Sequence, residues 1–426
     1  MYNYYFGQEG DIIDENILSI FTLSNLDYRY NRELNVNIFD FVGVIIEDNN
    51  QLIVFPKHMY TKETISFFSN NPSKGLDGFK TVLNVVEKFI LSKKSKARAN
   101  DYGGKQQDSF KSSYPFEAFF RIYDYYEKYG IYHQKNSYIS ENGNGKYKWK
   151  KIIERSQPYL SDEGIVFIPL YRENMSNMYT IVSEAMAYII NETIRKFPYL
   201  TNMKIVDYIS YNLLDFEENR YIINNLYNVL QNTYKDIDKE LISNMIIFFE
   251  KKEIHAGNDE HLKIKYFNLI WQEMVHYYLN RHFVSANKND LVFYPETIIR
   301  DDNYFTIYKQ VVDESINKWY INIDHYHIDR HFQFIFDSKY YSDEKELNYK
   351  QIAYHDFMAK KHRGKNIITI SALIFPGEDK VSYHYKTSEF LLQRNVDGTI
   401  RNIDDDVVIF SVKLNVIKVM KDYLLT

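Results

Sequence analysis

The segment spanning residues 319–341, WYINIDHYHIDRHFQFIFDSKYY, constrains the fold more than any other part of the chain. Apolar and polar residues alternate on both sides of a polar turn at residues 329–330, which is typical of two antiparallel strands. Three phenylalanines fall on one face of the second strand: Phe332, Phe334 and Phe336. Asp337 and Lys339 fall on the opposite face, because successive side chains alternate across a strand. We predict a buried hairpin that ends in an acid and a lysine.

Helical patterns flank this hairpin. Residues 263–283 carry apolar side chains at one-turn spacing, and a further helix is predicted at residues 348–361 after the hairpin. The order helix, hairpin, helix indicates a mixed sheet flanked by helices. We therefore predict a domain at residues 236–426 that follows an α+β region at residues 1–235, so that the whole chain is a mixed α/β protein.

The acids of the hairpin suggest a chemistry. Asp324 on the first strand and Asp337 on the second bring two carboxylates together, which makes a hard oxygen site suited to Mg²⁺, with Mn²⁺ as a substitute. Hydrolysis of a phosphodiester needs such a metal and a cation near the attacking water. Lys339, on the face of Asp337, supplies that cation. The pattern is compatible with metal-dependent phosphodiester hydrolysis, and the alternative is a charge pair that closes the end of a buried strand.

The histidines of the same segment leave an alternative open. His325 and His327 lie on one strand face by alternation, so that a histidine metal site is conceivable. Histidines without a carboxylate or thiolate partner are more often ordinary polar residues. The aspartate pair is therefore the preferred metal site.

Two basic segments of the first half are candidates for contact with nucleic acid. Residues 93–105, KKSKARANDYGGK, form either a solvated loop or an arm that reaches a phosphate backbone. Trp149 lies between Lys148 and Lys150, where an aromatic ring can stack on a base while lysines hold phosphates. The alternative for Trp149 is a residue that anchors a basic surface helix.

Composition excludes several classes of site. The chain has 426 residues and no Cys, so disulfides, thiolate zinc sites and a cysteine nucleophile are excluded. No apolar run approaches the roughly 18 residues of a membrane span, and no signal peptide is recognisable, so we expect a cytoplasmic protein. The net charge of −5 does not indicate a nucleic-acid binder, but an acidic surface can conceal a local basic groove.

The motif FIFDSKYY followed by KQIAYHDF resembles the nuclease motif of the LlaJI family of restriction endonucleases, relatives of the McrC subunit. The resemblance extends to NGNGKYKWKKII in the first half and to KYFNLIWQEM before the hairpin. Two positions depart from the family pattern. Ile323 stands where the family usually has proline, and Gln272 follows Trp271 where the family often has glutamate, so that the carboxylate here is Glu273.

This resemblance implies a PD-(D/E)XK nuclease fold and a Mg²⁺-dependent type II/IV-like restriction endonuclease acting in anti-phage defence. The catalytic candidates that it implies are Asp324, Asp337 and Lys339, with Glu273 as a further metal ligand. Gln351 and Tyr354 would support the site or contact the DNA backbone.

The implied partners are double-stranded DNA, a McrB-like AAA+ motor that hydrolyses GTP or ATP, and a cognate methyltransferase. No membrane is implied. The alternatives are a non-catalytic DNA-recognition subunit with a degenerate nuclease domain, and a nuclease that acts on RNA.

Overall fold

The structure is a computed structural model. It describes residues 2–25, 27–92, 110–112, 114–162, 164–200, 203–212, 216, 219–254, 260–265, 267–295, 303–313, 318–341, 347–362, 366–387 and 407–425. The basic segment at residues 93–105 lies outside these ranges, so its predicted role stays a prediction.

Helices and strands are numbered along the chain. The strands are β1 (Asn3–Gln8), β2 (Tyr28–Asn31), β3 (Val36–Phe39), β4 (Val42–Glu47), β5 (Asn50–Phe55), β6 (Phe110–Ser112), β7 (Gln134–Glu141), β8 (Lys146–Tyr147), β9 (Gln157–Ser161), β10 (Gly164–Ile168), β11 (Tyr171–Met178), β12 (Glu260–Ile264), β13 (Phe283–Ala286), β14 (Leu291–Phe293), β15 (Thr306–Asp313), β16 (Lys318–Ile328), β17 (Phe332–Ser338), β18 (Ile368–Pro376), β19 (Lys380–Lys386) and β20 (Val408–Leu414). The helices are α1 (Glu15–Ile20), α2 (Lys62–Asn70), α3 (Pro72–Leu91), α4 (Phe116–Tyr129), α5 (Trp149–Arg155), α6 (Ile181–Lys196), α7 (Asn219–Gln231), α8 (Asp236–Ile254), α9 (Phe267–His282), α10 (Tyr349–Lys361) and α11 (Val416–Leu424).

The chain divides into two compact units. The first joins Met1–Ser113 to Gly257–Thr426, and the second is Tyr114–Ala256. The mixed α+β architecture is as predicted, but this division differs from the boundary predicted after residue 235. The reason is β12, which returns to the first sheet and pairs with both β4 and β6. Local sequence patterns do not reveal a pairing between strands so far apart in the chain.

The first sheet has the strand order β1-β5-β4-β12-β6. Strands β4 and β5 form a hairpin, in which Glu47 and Asn50 are the pair next to the turn. Asp48, in the two-residue turn, has a φ of 51°, which Asp tolerates and tight hairpins require. Gly43 is needed where β4 meets β12, because a Cβ there would lie 1.8 Å from the carbonyl oxygen of Leu262.

The second sheet of this unit has the order β15-β16-β17-β18-β20-β19. Strands β15, β16 and β17 are antiparallel neighbours, whereas β17, β18 and β20 run parallel, so the sheet is mixed as predicted. His325 of β16 contacts His276 of α9, and Ile335 of β17 packs with Met358 of α10. His325 pairs with Phe336, the neighbour of Ile335. Since neighbouring residues alternate across a strand, α9 and α10 cover opposite faces.

A β-bulge interrupts β16 beside the first aspartate. Thr306 pairs with Tyr326 and Tyr308 pairs with Ile323, so three steps along β16 match two steps along β15. Ile323 and Tyr326 consequently pack into the same cluster with Met358, although residues three apart in a regular strand point to opposite faces. Asp324 lies inside this bulge, which is a feature that re-aims side chains next to functional sites.

The second unit combines helices with two small sheets. Helix α8 contacts α4, α6 and α7, and α6 also contacts α4 and α7. One sheet is β7-β11-β8 and the other is the hairpin of β9 and β10. Helix α5 lies between β8 and β9 in the sequence. Within the ranges that the structure describes, no helix in either unit is long and apolar enough to cross a membrane.

Candidate active site

The two predicted aspartates lie together at the end of the β16–β17 hairpin. Asp337 is the penultimate residue of β17 and is buried, with 6% of its surface exposed. The carboxyl of Asp324 is in hydrogen-bonding contact with it and also accepts a hydrogen bond from the backbone N–H of Ser338, at 3.1 Å. Burial, followed by the charge of Asp337, raises the pKa of Asp324 well above its ordinary value. Two carboxyls in contact, one buried and one half-buried, form a site that favours a nearby positive charge.

Lys339 partly neutralises this pair. Its ammonium forms an ion pair with Asp337 Oδ2, as the spacing of the motif predicts. Burial lowers the pKa of Lys339, but the charge and hydrogen bond of Asp337 outweigh burial, so the net pKa is raised and the ammonium stays charged. Its backbone N–H donates to the carbonyl of Ile374 on β18 at 2.8 Å, which continues the parallel pairing beyond β17. The lysine is therefore anchored at both its backbone and its side chain.

A chain of buried polar side chains supports the opposite face of the motif. His325 Nε2 lies 2.6 Å from the hydroxyl of Ser338, and its Nδ1 lies 3.3 Å from Nδ1 of His276 on α9. Ser338 separates Asp337 from Lys339 in the sequence, so this contact holds the middle of the motif. The sequence offered no signal for His276, because its partner is 49 residues away.

The structure places Glu273 apart from the aspartates. Glu273 Oε1 accepts a hydrogen bond from the Tyr423 hydroxyl on α11 at 3.4 Å, and Tyr277, one turn later, packs on the same ring at 5.3 Å. Gln272 shares a helix side with His276, four residues on, which faces β16. A shift of one residue turns a side chain by about 100° around the helix. The predicted third ligand thus faces α11 rather than the hairpin.

Two further predicted residues lie on α10. Gln351 is buried and its amide donates to the backbone carbonyl of Ile335 at 2.9 Å, so it fixes the helix to β17. Tyr354 is half-buried and packs against the cluster that contains Ile335 and Met358. These contacts fit a supporting role for both residues.

The residues present fit a Mg²⁺ site of the kind with few protein ligands. No three His, Asp or Glu side chains of the described ranges come together in a way that could hold a metal ion. Mg²⁺, however, is usually bound through one or two carboxylates, with water and substrate phosphate as the other ligands. Asp324 and Asp337 supply that pair. The charge of Asp337 contributes to the raised pKa of Asp324, and a bound divalent cation would offset the repulsion between the two carboxylates.

The alternative site at the histidines finds no support among the described residues. Both ring nitrogens of His325 contact protein atoms, on Ser338 and His276. His327 Nδ1 lies 2.7 Å from the carbonyl oxygen of Tyr304, on whose ring the imidazole stacks. These imidazoles hold elements together.

The predicted DNA-contacting residues lie in the second unit, at the start of α5. Trp149 is 57% exposed and packs beside Tyr147, with ring centroids 5.5 Å apart. Lys150 is exposed, whereas Lys148 forms an ion pair with Glu173 at 2.7 Å. The exposed indole is accessible for stacking on a base, and DNA contact by Trp149 stays a prediction.

We compared the chain with known protein families and solved structures. The family model described as LlaJI restriction endonuclease matches residues 41–411. No curated protein matches the chain. Among solved structures, the chain is similar to one described as a refined half-complex from a tetradecameric assembly of Thermococcus gammatolerans McrB AAA+ hexamers with bound McrC. The identity is 8% and the TM-score 0.41, over 99% of this chain and 98% of the other.

The match to the family model begins just before β4 and ends within β20, so it includes Asp324, Asp337 and Lys339. That span is most of the chain. The protein belongs to the LlaJI restriction endonuclease family.

Proposed function

We propose that this chain is the Mg²⁺-dependent DNA endonuclease of a restriction-type anti-phage defence system, with a site of the PD-(D/E)XK type. The observation that carries the proposal is the contact of Asp324 with Asp337 beside the Lys339 ammonium. Membership of a restriction endonuclease family supports DNA as the substrate.

The arrangement assigns a role to each residue. Asp324 and Asp337 would hold the cation, and the backbone N–H of Ser338 keeps the Asp324 carboxylate in place. A bound divalent cation would neutralise charge at the phosphate and acidify a water molecule. Lys339 remains charged beside Asp337, where its ammonium can approach the attacking water and the scissile phosphate.

We further propose that cleavage requires a separate AAA+ motor that hydrolyses GTP or ATP. The sequence contains no GxxxxGK[ST] loop, and members of the family that it resembles usually act with such a partner. Efficient cleavage by the isolated chain without nucleotide contradicts this part of the proposal.

A non-catalytic DNA-recognition subunit is the second candidate, and one observation favours it. The third carboxylate is turned toward α11, and Gln272 occupies the side of α9 that faces the hairpin. A degenerate site of this kind would bind DNA and leave it intact.

The test compares substitutions that separate catalysis from folding. We expect Asp337→Asn to abolish nicking of plasmid DNA and to weaken Mg²⁺ binding, because the amide keeps the shape of the side chain without its charge. We expect Lys339→Ala to abolish nicking while metal binding survives, because the lost charge acts on water and phosphate. Melting temperature is measured for each variant. Nicking that continues in both folded variants contradicts the nuclease proposal, and a wild type that binds DNA without nicking it in the presence of the motor supports the second candidate.

A further inference from the structure

The residue after the catalytic lysine joins the nuclease motif to the first sheet. The hydroxyl of Tyr340 donates to Glu9 Oε2 at 2.8 Å and accepts from the backbone N–H of Lys57 at 3.0 Å. Burial and the Glu9 carboxylate raise the pKa of Tyr340, so the hydroxyl keeps the proton that it donates. The hydroxyl therefore has one fixed donor and one fixed acceptor.

Lys57 completes a cluster with these two residues. Its ammonium lies 3.3 Å from Glu9 Oε1, 3.5 Å from the backbone carbonyl oxygen of Tyr340 and 4.9 Å from the centroid of the Tyr340 ring. Glu9 is only 6% exposed and binds the hydroxyl through one oxygen and the ammonium through the other. We call these three residues the Glu9–Lys57–Tyr340 cluster.

The cluster rests on rigid backbone. Strands β1 and β5 are parallel and end at the paired residues Gln8 and Phe55. Glu9 follows β1 directly, and its N–H donates to the carbonyl of Phe55 at 2.8 Å. Lys57 lies two residues beyond β5. Two adjoining strand ends thus present the carboxylate and the ammonium, and side chains held on strands keep their position better than those on loops.

The other side of the motif is fixed as well. The Tyr340 ring packs against Phe267 and Trp271 of α9, with centroids 5.5 and 6.5 Å away. Lys339, between Tyr340 and the end of β17, has its backbone held by β18. The direction in which Lys339 leaves the backbone is therefore set by the residues on both sides of it.

We propose that Glu9, Lys57 and Tyr340 are positioning residues that hold the Lys339 ammonium against Asp337, an inference that rests on the proposed nuclease function. Stability alone gives little reason for the cluster, because apolar side chains of similar volume often stabilise a fold as well as a buried ion pair does. What charged and hydrogen-bonded groups add is a defined orientation, and catalysis depends on orientation.

A positioning role for the cluster predicts a change in metal affinity opposite to the change that a purely structural role predicts. In the wild type the Lys339 ammonium competes with a divalent cation for Asp337. A variant that releases Lys339 from this position loses catalysis but binds the cation more tightly, because the carboxylate pair is no longer neutralised. A variant that merely loosens the fold would bind the cation more weakly, because the two carboxylates would separate.

The experiment uses Tyr340→Phe and Glu9→Gln in the full chain, with Asp27→Asn as the matched control. Asp27 forms a comparable buried ion pair with Lys263 in the same unit: each lysine is 14% exposed, and the distances are 3.3 and 2.9 Å. For each variant we would measure melting temperature, Mn²⁺ affinity by titration calorimetry, and kcat and KM for nicking with the motor present.

We expect both cluster variants to lower kcat by roughly 10- to 100-fold with little change in KM, and to tighten Mn²⁺ binding severalfold. Asp27→Asn should lower the melting temperature and change neither quantity. Unchanged or weaker Mn²⁺ binding in both cluster variants overturns the inference. If the wild type binds Mn²⁺ in an Asp337-dependent way but never nicks DNA, the nuclease proposal fails and the affinities still decide the positioning role. A wild type without such Mn²⁺ binding overturns both.

Discussion

At the scale of single residues, charge balance governs the site. The half-buried Asp324 and the buried Asp337 are in contact, and Lys339 supplies one positive charge for the pair. The raised pKa of Asp324 means that, without metal, this carboxyl keeps its proton to a higher pH in the folded protein than in the unfolded chain. The metal-free protein is therefore sensitive to pH at this residue, and the sign of that sensitivity can be worked out.

We predict that Asp324→Asn removes a pH dependence of stability. Between the ordinary pKa of aspartate and the raised one, the folded protein binds more protons than the unfolded chain, so wild-type stability falls as pH rises through that window. Asparagine cannot ionise. In EDTA the variant should therefore melt roughly 2–4 °C or more above the wild type at alkaline pH, and the two should converge in acid.

Melting curves recorded across the pH range test this expectation. Added Mg²⁺ should raise the melting temperature of the wild type alone, because the variant lacks one of its two ligands. Wild-type and variant curves that run parallel at all pH values would show that Asp324 is not held as a protonated acid.

At the scale of elements, the two sides of α9 have different partners. Gln272 and His276 lie on the side that meets β16, whereas Glu273 and Tyr277 meet Tyr423 of α11. One residue of offset thus decides whether a carboxylate reaches the hairpin. The family pattern places a glutamate where this chain has Gln272.

We predict that Gln272→Glu tightens Mg²⁺ binding by roughly an order of magnitude, because affinity rises with the number of charged ligands. Glu273→Gln is the matched control, since it makes the reverse change on the adjacent side of the helix. It should leave metal affinity and nicking unchanged. Calorimetric titration of both variants measures the effect. Loss of metal binding in Glu273→Gln would restore that residue as a ligand.

At the scale of the whole molecule, the chain carries its candidate functions in separate units. The nuclease motif and both sheets that support it belong to the unit formed by the two ends of the chain. The aromatic and basic surface at Trp149 and Lys150 belongs to the inserted unit. A fragment that ends at residue 235 would leave β4 and β6 without β12, so DNA binding is best tested in the full chain.

We predict that Trp149→Ala weakens DNA binding by about 1–3 kcal/mol, the usual value of one stacked base. Lys150→Ala should weaken binding and reduce the slope of log affinity against log salt by about 1, because one phosphate contact is lost. Lys148→Ala should have the smaller effect, since Glu173 already neutralises that lysine. Fluorescence anisotropy over a range of salt concentrations measures all three. Unchanged affinity in folded Trp149 and Lys150 variants would exclude this surface as the DNA contact.

Local pattern determined the β16–β17 hairpin, the flanking helices and the pairing of Asp337 with Lys339. Each of these depends on alternation or helical spacing within a short segment, which the sequence displays directly. The family likewise followed from a compact motif, and its match over residues 41–411 confirms it.

Only the tertiary structure decided which distant segments meet. Four contacts join segments that are far apart in the chain. They are the pairing of β12 with β4 in the first sheet, and the hydrogen-bonding contacts of Glu273 with Tyr423, His276 with His325 and Glu9 with Tyr340. Such contacts depend on register and packing between elements, and a shift of one residue changes the face that a side chain occupies. The residue types at these positions were visible from the start, but their partners were set by the fold.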